Sequence, residues 1–161
     1  MNAQRIEGAV ALVTGANRGI GRALTEALLA RGVRKVYATA RHPEALRDLR
    51  DQRLVVLRQR VEGSPPFPDP GRSDPSRGAG HVVFGVYAGP VDTEMTRELA
   101  LPKTSPRDVA FAILDGVESG QEDIFPDPFA VDFGRRFESS PKASERQIAG
   151  MIAAMLAGSA A

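Results

Sequence analysis

Cysteine and tryptophan are absent from this 161-residue chain, and it has only two histidines and two tyrosines. Without cysteine there is no disulfide framework, no thiolate nucleophile and no thiolate metal site. His42 and His81 alone cannot furnish a histidine-based zinc site, so no metal ligand is expected. No apolar stretch approaches the ~18 residues of a membrane span, and Met1 to Gly8 has no apolar targeting core. An excess of one charge is lacking as well: 21 Lys+Arg face 20 Asp+Glu, for a formal net charge of +1. That balance offers no electrostatic case for nucleic acid or for an anionic membrane. Lysine is scarce (Lys35, Lys103 and Lys142), so arginine carries most of the positive charge. The expectation is a cytoplasmic chain whose residues 1–161 form one domain.

What is present begins with a buried-strand pattern, Ala9 to Thr14, ending in a glycine cluster. An apolar stripe at helical spacing follows, through Ile20, Leu24, Ala27 and Leu28 to a stop at Gly32. Lys35 to Thr39 reads as a second strand, Glu44 to Arg50 as a short polar helix and Arg53 to Arg58 as a third strand. Strand alternating with helix implies parallel strands joined by right-handed crossovers. The texture then changes: Glu62 to Gly80 (62–80) holds five Pro, four Gly and three Ser without any period, the composition of a linker. Periodicity returns with a strand pattern at His81 to Tyr87. Ser105-Pro106-Arg107-Asp108 is a helix start, followed by an apolar face through Val109, Ala112, Ile113 and Val117. A short strand at Asp123 to Phe125 and a helix at Pro141 to Ala157, burying Ile148, Ile152, Met155 and Leu156, complete the chain. Phe125, Phe129, Phe133 and Phe137 recur every four residues after an Asp127-Pro128 helix start, the spacing of a packing face.

The turn Thr14-Gly15-Ala16-Asn17-Arg18-Gly19-Ile20-Gly21 joins the first strand to the first helix. Its three glycines suit a tight turn, close approach of backbone to a pyrophosphate, and packing of helix on strand. Helix N–H groups and the positive end of the dipole would face the anion; the competing reading is a merely structural turn. No Gly-Lys-Ser/Thr follows, so it is not a P-loop.

The run TGANRGIG resembles the short-chain dehydrogenase/reductase family. So do YATARHPEAL after it and, far downstream, AGPVDTEM (Ala88 to Met95) followed by KTSPRDVAFAILDGV. The resemblance implies an α/β Rossmann-type parallel sheet of about five strands with helices on both faces, incomplete relative to the family. It also implies a dinucleotide cofactor, held by Gly15, Asn17, Arg18, Gly19, Ile20, Gly21, Arg41 and Thr93. The second strand ends Thr39-Ala40-Arg41 with no acid to hold the ribose hydroxyls, and an arginine fork suits a 2'-phosphate, so NADP(H) is favoured over NAD(H). The alternative is that Arg18 and Arg41 are two surface arginines of an Arg-rich chain. Thr93 resembles the threonine near the nicotinamide, and it reads equally as the N-cap of a short helix starting at Glu94.

In the family a Tyr-x-x-x-Lys pair on one helix does the acid/base chemistry, an opposite charge bringing the phenol toward neutrality. Here Tyr37 is followed four residues later by Arg41 and Tyr87 by Val91, so the pair is missing and no catalytic residue is assigned. The Asn-Asn-Ala-Gly segment is missing too, and no acid follows the third strand, which continues Gln59-Arg60-Val61. An internally deleted family member, its central strands and helices replaced by the linker, accounts for these losses together. Two functions follow: an NADP-dependent oxidoreductase acting on a carbonyl or alcohol but catalytically impaired, or a non-catalytic NADP-binding or interaction module. Association with another copy or with an intact relative is expected through the C-terminal helices. The strand at 81–87 is expected to lie against the open side of the first strand, since an unpaired edge is a liability.

Overall fold

The computed structural model describes residues 3–59 and 82–158, with side chains up to residue 152. The linker at 62–80 and His81 lie outside the described residues. Three strands, β1 (Val10–Thr14), β2 (Lys35–Ala40) and β3 (Leu54–Arg58), form a parallel sheet with β2 in the middle. The crossover from β1 to β2 is helix α1 (Gly19–Ala30). Alternation along β2 decides the faces: Val36, Ala38 and Ala40 are buried while Lys35, Tyr37 and Thr39 are only half so. Between β2 and β3 the polar helix expected over 44–50 is a 3-10 turn, Pro43–Leu46, in which Leu46 alone is buried. A single apolar anchor supports one turn and no more.

The C-terminal stretch contains β4 (Gly85–Val86), α2 (Pro106–Ser119), β5 (Asp123–Ile124), α3 (Pro128–Ser139) and α4 (Pro141–Gly158). Helix α2 starts as its sequence suggests. The Ser105 side chain accepts the Asp108 N–H at 3.1 Å and donates to the Asp108 carboxylate at 2.7 Å, while Gly120 closes the helix in the left-handed region at φ 73°. Small residues let α1 and α2 approach: Ala23 and Ala27 share one core with Ala110 and Leu114. Arg31 fastens the pair, bonding Asp115 and Glu118 and lying 5.5 Å over the Phe111 ring.

Three expectations need correction. The strand anticipated over 81–87 is described only at Gly85–Val86, and it pairs in parallel with β5, not with β1. Gly116 explains the choice: with no side chain there, α2 receives Ile124, which an added Cβ would meet at 2.7 Å, and so draws the β4–β5 pair onto itself. The five described strands therefore divide into sheets of three and two, and among the described residues nothing pairs with the free edge of β1, where Leu12 is 66% exposed. The 3-10 turn, α1 and α2 share the core beneath Val36, Ala38 and Ala40, on one face of the sheet. In α4, Ile148 is half-buried and Ile152 is exposed, because among the described residues α4 packs chiefly on α3 and buries Ser144; the side chains of Met155 and Leu156 lie outside the described residues. The phenylalanine row is a partial docking face: Phe129 and Phe133 line a crevice with Ser144, Ile148 and Met151, while Phe137 stays half exposed.

Candidate functional site

At the carboxyl ends of β1 and β2, where open α/β sheets place their ligands, lies a cavity of about 330 Å³. That is near the lower end of the range for ligand pockets, ~300–1,000 Å³. Its walls include Gly15, Asn17, Arg18, Gly19, Ile20, Arg41 and Thr93. Seven of the eight residues proposed from the sequence thus converge on one hollow, although Thr93 stands more than fifty positions beyond Arg41 in the chain.

The three glycines are forced by different geometry. Gly15 has φ +65° and Gly19 φ +55°, the left-handed region that favours glycine. At Gly19 an added Cβ would also stand 3.3 Å from the Thr93 methyl, so the downstream segment closes directly over the turn. Gly21, the eighth proposed residue, lines no wall; an added Cβ there would meet the Gly15 carbonyl oxygen at 2.4 Å. Its role is to let α1 start hard against the end of β1.

Helix α1 offers its N-terminus to the cavity. Arg18 occupies the N-cap with no side-chain hydrogen bond to the helix, and the first turn contains no acid. The first N–H groups of any helix lack intrahelical partners, so here they and the dipole face the hollow uncompensated. Arg18 and Arg41 are both exposed, and neither has an ion-pair partner among the described residues. The residues fit a dinucleotide's phosphates: N–H donors, two guanidinium groups and backbone that approaches closely.

Sequence reasoning overlooked some parts. Gln59, Glu94 and Met95 also line the cavity. Gln59 is brought there by its N–H bond to Ala40 O, 2.9 Å, which extends the ladder beside Arg41. Arg22, one turn into α1, donates to Ala45 O at 2.9 Å and pairs with Glu26 and Asp48, tying the loop after Arg41 to the helix. Thr93 occupies the N-cap position of the 3-10 turn Glu94–Thr96 and also stands on the cavity wall. The segment bearing it is fixed by Val91, buried with Val109, Ile113 and Ile20, and by the Asp92 N–H to Thr104 O bond of 2.9 Å. Upstream, buried Asp127 accepts the Gly89 N–H at 2.7 Å and caps α3 through Ala130 N–H at 2.8 Å. No signal in the sequence joins Asp127 to Gly89; only the fold does.

The two tyrosines stand apart from this hollow. Tyr37 lies inside β2 with Lys35 Nζ 5.8 Å from its ring. Tyr87 stacks on Phe125, and Lys103 Nζ donates to Arg97 O at 3.0 Å.

Comparison with known proteins agrees with the glycine turn. The short chain dehydrogenase family model matches residues 9–60. The 3-oxoacyl-[acyl-carrier-protein] reductase FabG of Salmonella typhimurium and that of Salmonella typhi are each 53% identical over 45 residues, 28% of this chain and 18% of theirs. The match therefore spans less than a fifth of the length of those curated relatives. A crystal structure of a short chain dehydrogenase from Burkholderia cenocepacia J2315 in complex with NADP is similar in fold, with a TM-score of 0.69 and 22% identity, over 89% of this chain and 98% of that one. Residues 9–60 are thus similar to the short-chain dehydrogenase family, and the parallel α/β fold that contains them is similar to that of the Burkholderia structure.

Proposed function

We propose that the chain is an oxidoreductase-type module that binds NADP(H) in preference to NAD(H) and is impaired in carbonyl reduction. The observation that carries this reading is the meeting of the open α1 N-terminus, Arg18, Arg41 and Thr93 around one cavity. In it the α1 amides hold the pyrophosphate, Arg18 and Arg41 clamp the 2'-phosphate with Asn17 adding a hydrogen bond, and Thr93 borders the nicotinamide end. The relative of similar fold was solved with NADP, which supports the choice of ligand. A bound NADPH would supply hydride to a carbonyl carbon, and NADP⁺ would accept it from the carbinol carbon of an alcohol. Proton donation to the resulting alkoxide is worth roughly 10²- to 10⁴-fold; Lys35 lies beside Tyr37, but neither Tyr37 nor Tyr87 lines the cavity, which is the basis for impairment. On this reading residues 62–80 stand in place of the family's central strands and helices, and the chain is one shortened domain.

Calorimetric titration with NADPH and NADH tests the proposal. NADPH binds more tightly, and Arg41→Asp weakens NADPH by roughly tenfold or more, as expected for losing hydrogen bonds to a charged group, while NADH changes little. Equal affinities for both cofactors before and after the substitution would remove Arg41 from the site. Steady NADPH oxidation with a panel of aldehydes, ketones and quinones, abolished by Tyr87→Phe, would overturn the impairment. A non-catalytic NADP-binding module is the reading that remains if binding is found without turnover on any carbonyl.

A further inference from the structure

A second concavity, about 300 Å³, opens between β4, β5 and α3 and shares no lining residue with the first. Its walls are mainly aromatic, with Tyr87, Phe125, Phe133 and Phe137, and two carboxylates, Asp123 and Glu138, stand among them. Tyr87 and Phe125 stack with centroids 5.4 Å apart, and Phe133 and Phe137 are 5.8 Å apart at 36°. The rings are seated by missing side chains. At Gly134 a Cβ would lie 2.9 Å from the Phe125 ring, and at Gly85 one would meet both the Tyr87 hydroxyl and Asp123 Oδ1 at 3.1 Å. Tyr87 and Asp123 are thereby gathered over the same point of β4.

An apolar wall alone would suit any greasy partner; the carboxylates narrow the choice. Among the described residues neither Asp123 nor Glu138 has an ion-pair partner, although Asp132 on the same helix is paired with Arg136. Negative charge uncompensated beside aromatic faces, themselves negative through the ring quadrupole, attracts a cation that sheds its water easily. Anions and dinucleotide phosphates are repelled. A metal ion is poorly served, since the described residues contain no group of three carboxylates or imidazoles. We propose that this concavity binds a small organic cation of the quaternary-ammonium class, with its alkyl groups against the rings and its charge facing Asp123 and Glu138.

Choline and its neutral isostere 3,3-dimethylbutan-1-ol separate charge from greasiness, read by saturation-transfer NMR of the ligand and by calorimetry on the whole chain. Choline should bind about two- to fivefold more tightly than the alcohol, the scale of an exposed cation–π contact, with its trimethyl protons shifted by the rings. The exposed pair Asp123→Asn/Glu138→Gln should lower that preference, and Phe137→Leu on α3 should weaken choline while NADPH binding stays unchanged. Equal binding of choline and the alcohol, a preference undiminished by the double substitution, or no choline binding in the millimolar range would each overturn the proposal.

Discussion

Between Ala9 and Gln59 the chain holds a three-stranded parallel ladder whose buried row, Val36, Ala38 and Ala40, is roofed by α1. After residue 82 the ladder shrinks to the two-residue pairing of β4 with β5 and the single bridge of Val91 with Thr104, and the backbone is held by side-chain pins and glycine contacts instead. The first region is stabilised by repeating local pattern. The second is stabilised by particular contacts between residues far apart in sequence. They meet along α1, where Ala23 and Ala27 share a core with Ala110 and Leu114, and where Val91, Val109 and Ile113 pack on Ile20 and Leu24 and set Thr93 over Gly19. The family match covers the first region, and the candidate cofactor cavity depends on both.

Paired glycine substitutions sharpen that contrast, and they carry the largest expected effect. Gly21→Ala drives a Cβ toward backbone, the Gly15 carbonyl oxygen at 2.4 Å, which has no rotamer with which to yield. Gly116→Ala meets Ile124 side-chain atoms at 2.7 Å, and these can turn aside. Overpacking costs typically about 1–3 kcal/mol. Gly21→Ala should reach or exceed the upper figure and abolish NADPH binding, and Gly116→Ala should stay near the lower one and spare it. Urea midpoints together with NADPH titration check both; a larger loss at Gly116 would invert the comparison.

Next in size is the buried pin. Asp127→Ala removes the α3 cap and strands the Gly89 N–H, both served by one carboxylate that is 4% exposed. Losing a cap costs about 0.5–2 kcal/mol and a buried unsatisfied donor about 1–3, so a loss of about 2 kcal/mol or more is expected. NADPH affinity should fall as well, since Gly89 leads into Val91 and Thr93. Retained affinity with lowered stability would show that the pin serves α3 alone.

The contrast also explains what could be read in advance. Strand β2, the turn around Gly15 and Gly19, and the start of α2 at Ser105 are legible because their causes lie within a few residues: alternation, glycine spacing and a Ser-Pro-Arg-Asp cap. Gathering Arg18, Arg41 and Thr93 followed from family spacing, and the structure places them on one cavity. The partner of β4 was not legible, because it turns on what fills the hollow at Gly116, one residue type opposite another some eight positions away. Arg22 was hidden for a similar reason. It looks like one more arginine on an exposed helix face until the loop after β2 folds back to offer Ala45 O and Asp48.

The smallest effect concerns pH and belongs to the first region and the stretch leading into it, where the acids Glu7, Asp48 and Asp51 are held below their ordinary values by neighbouring arginines. Asp51 is the clearest case. Side-chain bonds from Arg53, 3.0 Å from Nε and 2.7 Å from Nη2, and then its backbone N–H at 2.8 Å, bring the carboxyl from 3.8 to about 2. In the unfolded chain the group takes up its proton near 3.8; in the folded chain it resists until about 2. The unfolded state therefore binds more protons across that interval, so the stabilisation is whole above about pH 4 and vanishes as the pH falls through about 2. The carboxylate is partly open to water, so screening keeps the effect small. Its worth is positional, since the bonds fix the entry to β3 and through it the register that carries Gln59 to Arg41. Asp51→Asn should flatten the dependence of the urea midpoint on pH within that interval and change little near about pH 7. Midpoints that fall with acid just as steeply in the variant would assign the acid sensitivity to Asp48 and Glu7 instead.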